Sequence, residues 1–112
     1  MSGTFELKKT ESGKINFNLL AGNGQVILSS QSYSSKASAL NGVESVRQNS
    51  ADDARFDRRF SVKDQPYFTL TATNGQVIGT SQMYASESAR NNGIESVKKN
   101  APDASVKDIT SG

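Results

Sequence analysis

The chain has 112 residues, about one domain's worth, and thirteen basic against eleven acidic side chains leave a formal charge of only +2. That excess is too small to create a strong field for nucleic acid or anionic lipid, even with a pI near 9.0. Cysteine and histidine are both absent, which removes disulfides, thiol chemistry, most zinc and transition-metal sites and the Ser-His-Asp triad together. A hydrophobic fraction of 34% with charges of both signs suits a soluble domain with a thin core. The opening Met1–Lys9 segment lacks the apolar run of a signal peptide, and no stretch is long and apolar enough for a membrane helix. The expectation is a soluble cytoplasmic protein without metal or cofactor.

In chain order, Thr4 to Lys9 alternates apolar and polar residues and runs into Glu11-Ser12-Gly13-Lys14, giving a first strand and a turn. Ile15, Phe17, Leu19 and Ala21 mark the buried face of a second strand that meets Asn23-Gly24, the favoured pair for a two-residue type I′ hairpin loop. With that loop, facing residues pair as Ala21 with Val26, Leu19 with Leu28 and Phe17 with Ser30. Ser35 is placed as the N-cap of a helix from about Lys36 to Gln48, with Ala39, Val43 and Val46 on its apolar side.

The same series then repeats. Adding 51 to a residue number carries Phe5 to Phe56, Phe17 to Phe68, Leu19 to Leu70, Tyr33 to Tyr84 and Gly42 to Gly93, and the segment Asn23–Ile27 returns unchanged as Asn74–Ile78. The segment Ala54–Phe60 both follows the first helix and matches the opening strand, so it serves both halves. Ser86 caps a second helix from about Glu87 to Lys99, with Ala89, Gly93, Ile94 and Val97 as its apolar side. Gly42 and Gly93, in mid-helix, each cost about 1 kcal/mol relative to alanine, which close approach of the helix to the sheet would offset, the alternative being a break or kink at each Asn-Gly pair. Pro102 stops the second helix, and Ser105–Ile109 forms a short closing strand before a frayed Thr110–Gly112. Each copy has about fifty residues, near the lower limit for a self-sufficient core, so the two halves share one. The chain is thus one domain, 1–112, with repeat one over 3–53 and repeat two over 54–109. It is an α+β monomer in which two helices lie on one face of a sheet.

The duplicated Phe-Glu-Leu-like opening, Asn-Gly-Gln-Val-Ile hairpin, Ser-Gln-Xaa-Tyr junction and Gly-Xaa-Glu-Ser-Val helix segment together resemble the YegP-like family of small bacterial proteins over about residues 3 to 109. The resemblance implies tandem β-β-β-α(-β) units sharing one antiparallel sheet, with closing strands exchanged between repeats. It carries no activity, substrate or functional residue onto positions of this chain.

Three surfaces are candidates for function. The sheet face away from the helices would show Asn16, Asn18, Leu20, Gln25, Ile27 and Ser29 from one copy, and Tyr67, Thr69, Thr71, Thr73, Gln76, Ile78 and Thr80 from the other. It is polar and nearly uncharged, suited to a neutral polar ligand or a protein segment, with Leu20 opposite Ile27 as an apolar contact pair. The ordinary alternative is a solvated face built from residues that favour strands. Arg55, Arg58, Arg59 and Lys63 form the densest basic run and raise nucleic-acid association as an alternative, although interleaved Asp52, Asp53, Asp57 and Asp64 point to neutralised surface charge. Tyr33 and Tyr84 at the strand-to-helix junctions line a cleft or simply cover the end of the core. An enzyme using them with Glu44 and Glu95 is disfavoured, since nothing brings those groups together. The reading is a small non-enzymatic binding or accessory protein, with no catalytic, cofactor or metal residues assigned.

Overall fold

A computed structural model describes residues 3–110. In chain order these form β1 (Thr4–Lys9), β2 (Ile15–Leu20), β3 (Val26–Ser29), α1 (Lys36–Asn49), β4 (Phe56–Phe60), β5 (Pro66–Thr71), β6 (Val77–Thr80), α2 (Glu87–Asn100) and β7 (Ser105–Asp108). A 3-10 turn at Asp53–Arg55 precedes β4. The strands make one seven-stranded sheet in the order β4-β5-β6-β3-β2-β1-β7. At its centre Ser29 pairs with Thr80, its own counterpart in the second copy, so the pseudo-twofold axis runs between them.

The tandem α+β fold with a shared sheet and exchanged closing strands is what the chain adopts. Neighbouring strands are antiparallel except at one end, where β7 lies parallel to β1 and makes the sheet mixed. The exchange is reciprocal. The chain leaving α2 joins β1 of the first copy, and the chain leaving α1 joins β5 of the second. One helix position clamps each crossing: Arg47 of α1 donates to the Ala104 carbonyl and lies over the Phe5 ring, while its counterpart Lys98 of α2 donates to Asp53 at 2.7 Å and lies over the Phe56 ring. The Lys98 ammonium holds the Asp53 carboxyl below the usual carboxylate range, and Asp53 in turn raises Lys98.

Ser35 and Ser86 cap the helices as expected, each side-chain oxygen accepting from the backbone N–H three residues on. The helices bury Ala39, Val43, Val46, Ile94 and Val97 against Phe5, Leu7, Phe17, Leu19, Leu28, Phe68 and Leu70 in one continuous core. Each helix reaches across the dyad, α1 onto β5 and β6 and α2 onto β3, so neither copy's core is complete without the other. The apolar stripe of α2 is offset from the expected one: Ala89 is only half-buried, and the counterpart of Ala39 is Arg90, buried at 4% exposure. At the dyad there is room for one large side chain. A β-carbon at Gly79 would meet Leu28 Cγ at 2.7 Å, which is why leucine stands in one copy and glycine in the other.

The hairpin at Asn23-Gly24 is not a two-residue type I′ loop. Gly24 N–H donates to the Ala21 carbonyl and Ala21 N–H to the Gln25 carbonyl, enclosing three residues, and only Gly24 has positive φ, at 85°. This is a type I turn closed by a left-handed residue, a loop that lets Asn23 keep an ordinary φ and accept from Gln25 N–H at 3.0 Å. The same hydrogen-bond pair recurs at Thr10–Lys14, Ser61–Gln65 and Ala72–Gln76, with Gly13, Asp64 and Gly75 in the left-handed position.

The longer loop shifts the register. Leu19 pairs with Leu28 as expected, but Leu20 pairs with Val26, leaving Ile27 as the extra residue of a bulge. Ala21 therefore faces Gln25 instead of Val26. The second copy repeats this, pairing Leu70 with Gly79 and Thr71 with Val77 around Ile78. Ile27 and Ile78 are 5% and 6% exposed and belong to the core, whereas Val26 and Val77 are exposed.

At the far edge, Asp108 of β7 meets Lys36 at 2.6 Å, and Thr110 donates to Asp108 through both its N–H and its hydroxyl. The expected fraying does not extend to Thr110, which is buried; Ser111 and Gly112 lie outside the described residues.

A left-handed conformation costs a non-glycine residue about 1–2 kcal/mol, somewhat less for aspartate, so Gly24→Ala lowers stability by about that amount in urea unfolding and Asp64→Gly raises it. Lys36, and then the Thr110 hydrogen bonds, hold the Asp108 carboxyl well below its ordinary range. A carboxylate depressed on folding contributes stability above its unfolded pKa and loses it as pH falls toward the folded value. The urea midpoint of Asp108→Asn is therefore below that of the parent at pH 7, with the gap closing below about pH 4.

Candidate functional site

The sheet face opposite the helices carries a row in strict register: Lys107, Glu6, Asn18, Ser29, Thr80, Thr69 and Asp57. Its centre is uncharged, as the sequence suggested, and Tyr67 stands beside it, half-buried and opposite Arg59. Ile27 and Ile78 are absent from this face because the bulge turns both into the core. The apolar pair expected from Leu20 and Ile27 is instead Leu20 with Val26, which is 38% exposed. On the helix side, the β2–β3 turn stands off α2 and leaves a groove of about 410 Å³ lined by Asn23, Asn92, Glu95 and Lys99. It adjoins a second hollow of about 220 Å³ that Gln25, Ile27 and Tyr84 line.

Tyr33 and Tyr84 cover the core. Each stacks nearly parallel on its own phenylalanine, Phe17 at 6.1 Å and Phe68 at 6.3 Å between ring centroids. Their rings explain the helix glycines: a β-carbon would meet Tyr33 Cζ at 2.8 Å from Gly42, and Tyr84 Cζ at 2.6 Å from Gly93. What comes close to the helix is thus a tyrosine ring rather than the sheet backbone. Each ring is half-buried, so it gains only part of the about 1.5–3 kcal/mol of a fully buried side chain, and the stacked pair adds about 1 kcal/mol, together enough to offset the helix penalty of about 1 kcal/mol per glycine. Burial raises both phenols above their ordinary pKa, with Gln31 and Gln82 partly offsetting it. Glu44 pairs with Arg47 and Glu95 with Lys98, so neither carboxylate is held for acid–base work at a tyrosine.

The basic run is divided by the fold. Arg55 lies in the 3-10 turn and pairs with Asp52, Lys63 lies in the β4–β5 turn, and only Arg58 and Arg59 are in β4, paired with Asp53 and Asp57. β4 is the terminal strand of the sheet. Ser61 N–H donates to Gln65, and alternation from that pair makes Arg59 and Asp57 exchange bonds with β5, so the backbone groups of Phe56, Arg58 and Phe60 face outward. The Phe56 N–H is taken by Asp53 of the 3-10 turn. Among the described residues no strand covers the rest.

Beside this edge lies a group of residues the sequence reading passed over. Arg58 Nε and Arg90 Nε both donate to Asn91 Oδ1, at 3.3 and 3.4 Å. Arg90 also lies 5.5 Å from the centroid of the Phe60 ring, which is 54% exposed. Its Nη2 reaches Glu87 at 3.5 Å, and its Nη1 is buried without a partner. The signal was present in the sequence: adding 51 to the core residue Ala39 lands on a charged one.

Gly93→Ala forces the Tyr84 ring aside and lowers stability by about 1–3 kcal/mol, and a Tyr84→Ala background reduces that cost; a double-mutant cycle in urea reads the coupling.

The family model described as a domain of unknown function, DUF1508, matches the chain twice, at residues 11–57 and 61–108, one match per copy. A UPF0339 protein of Acinetobacter baylyi is 56% identical over 98% of this chain and 99% of its own length, and the UPF0339 protein YegP of Yersinia pestis is 48% identical over 96% of each. Solution NMR structures superpose closely: a Shewanella oneidensis UPF0339 protein with TM-score 0.92 at 50% identity, covering 98% of this chain and 93% of that one, and E. coli yegP with TM-score 0.94 at 46% identity, covering 100% and 97%. With two family matches in register with its internal repeat and relatives of the same length and fold, the chain belongs to the YegP-like UPF0339 family of tandem DUF1508 proteins.

Proposed function

We propose that this is a non-enzymatic binding protein that takes an extended segment of a partner protein onto the free edge of β4. The observation that carries this reading is the difference between the two ends of a pseudo-symmetric sheet. β1 and β4 are counterparts, yet β1 is covered by β7 and β4 is not. An eighth strand is missing because the first helix runs to Asn49 and β4 begins at Phe56, which leaves only a 3-10 turn's worth of chain between them. Strand addition at such an edge gains main-chain hydrogen bonds without needing a pocket. The charges on Asp57, Arg58 and Arg59 oppose indiscriminate pairing, as edge strands require, while the exposed Phe60 and Val62 offer apolar surface at the same place.

The alternative of nucleic-acid association through Arg55 to Lys63 has less support, because three of its arginines already face aspartates. A peptide with the sequence of Ser105–Thr110, the strand that covers β1, is the natural probe. Titrated into the labelled protein, it shifts the amide resonances of Phe56–Phe60 and leaves those of β3 and β6 in place, whereas a single-stranded oligonucleotide at low salt shifts none. No shift at millimolar peptide overturns the strand-addition reading, and a micromolar, salt-sensitive response to the oligonucleotide replaces it with the nucleic-acid one.

A further inference from the structure

The occupant of the β4 edge has a chemistry that the occupied edge spells out. On β1, β7 runs parallel and pairs Phe5 with Val106 and Leu7 with Asp108. Ile109 N–H then donates to the Leu7 carbonyl. Asp108 reaches over to Lys36 at the start of α1. Carried across the pseudo-twofold, the level of Leu7 becomes that of Arg58, Lys36 becomes Glu87, and Ala39 becomes Arg90. A carboxylate placed as Asp108 is would stand level with Arg58 and find Glu87, 67% exposed, where Lys36 stands in the first copy; the cations on that side are Arg58 and Arg90, the two guanidiniums that share the single amide oxygen of Asn91.

Resting on the β4-edge reading, we propose that the partner segment is an extended peptide that adds parallel to β4 with an acidic residue level with Arg58, recognised by Arg58 and the unpartnered Nη1 of Arg90. Two independent features converge on it. A buried guanidinium N–H without an acceptor is costly, and an anion is the partner that relieves it most. The edge directly above is that of β4, which among the described residues lacks the covering strand that its counterpart β1 has in β7. Carboxylates already nearby leave the site open: Asp53 is drawn mainly to Lys98, at 2.7 Å against 3.6 Å to Arg58, and Glu87 is 67% exposed and touches only Nη2 of Arg90. Phe60 forms the outer wall, its exposed ring 5.5 Å from Arg90 and available to an apolar residue two places after the acidic one, which alternation puts on the same face.

The Ser105–Thr110 peptide, fluorescently labelled, and its Asp108→Asn and Asp108→Lys versions test this by anisotropy against the full chain. The parent peptide binds at least about tenfold more tightly than the asparagine version, the lysine version binds more weakly still, and Arg90→Met, which keeps the side chain's volume, abolishes the difference between the first two. Because the discrimination is read first on unaltered protein, a variant that failed to fold would not mask it. Equal affinity of the three peptides overturns the acidic specificity and leaves strand addition standing. Failure of all three to bind overturns both. A concentration-dependent dimer that excludes the peptide also overturns the proposal, by giving the edge to a second copy.

Discussion

The structure depends on the reciprocal crossing of the chain between its two copies. A unit of about fifty residues buries too little surface to stand alone, and here neither copy tries to: each helix lies partly over the other's strands, and the chain leaving it continues along the other's edge. Arg47 and Lys98 hold the two crossings from equivalent helix positions by different means, one through a carbonyl and an aromatic face, the other through a carboxylate and an aromatic face. The fusion of the copies into one chain fixes which crossing has length to spare. After α2 the chain is free to lay down β7, and after α1 it must begin the second copy at once.

Much of this was legible in the residues. Period-two alternation located β1 and β2, the 51-residue repeat carried them onto β4 and β5 and required a shared core, and serine caps located both helices to within a residue. The turn was misread for a physical reason. Asn-Gly satisfies two loop types, and the choice between them rests on whether asparagine or only glycine takes positive φ, which a sequence of two residues does not state. That one-residue difference moved Ile27 and Ile78 from the open face into the core and put Val26 and Val77 outside. Period-two reasoning fails at a bulge because the bulge breaks the period.

The candidate surfaces fared differently. The centre of the open face is uncharged as expected, but Thr69 is buried and Ile27 and Ile78 belong to the core, while each tyrosine accounts for a helix glycine that propensity alone left unexplained. The basic run lost its coherence because the fold places Arg55 and Lys63 in turns on either side of β4. What no single-sequence pattern conveyed was the vacancy. A missing strand has no residues, and it becomes visible only when the ends of a pseudo-symmetric sheet are compared. Arg90 could have been found earlier, since a charged residue at the repeat position of a core alanine is a departure that asks for a reason.

These departures from symmetry are of two kinds. Gly79 against Leu28 is a packing necessity at the axis, where two leucines would collide. Arg90 against Ala39 has no such necessity, and it lies beside the β4 edge, next to Arg58 and Phe60. Amide hydrogen exchange in the dilute free protein tests the vacancy most directly, because Leu7 and Arg58 are counterparts on the two ends of the sheet. The account predicts that the Arg58 and Phe60 amides exchange quickly while that of Leu7, under β7, is protected by orders of magnitude. Equal, strong protection at Arg58 and Leu7 would contradict it, since the β4 edge would then already be covered.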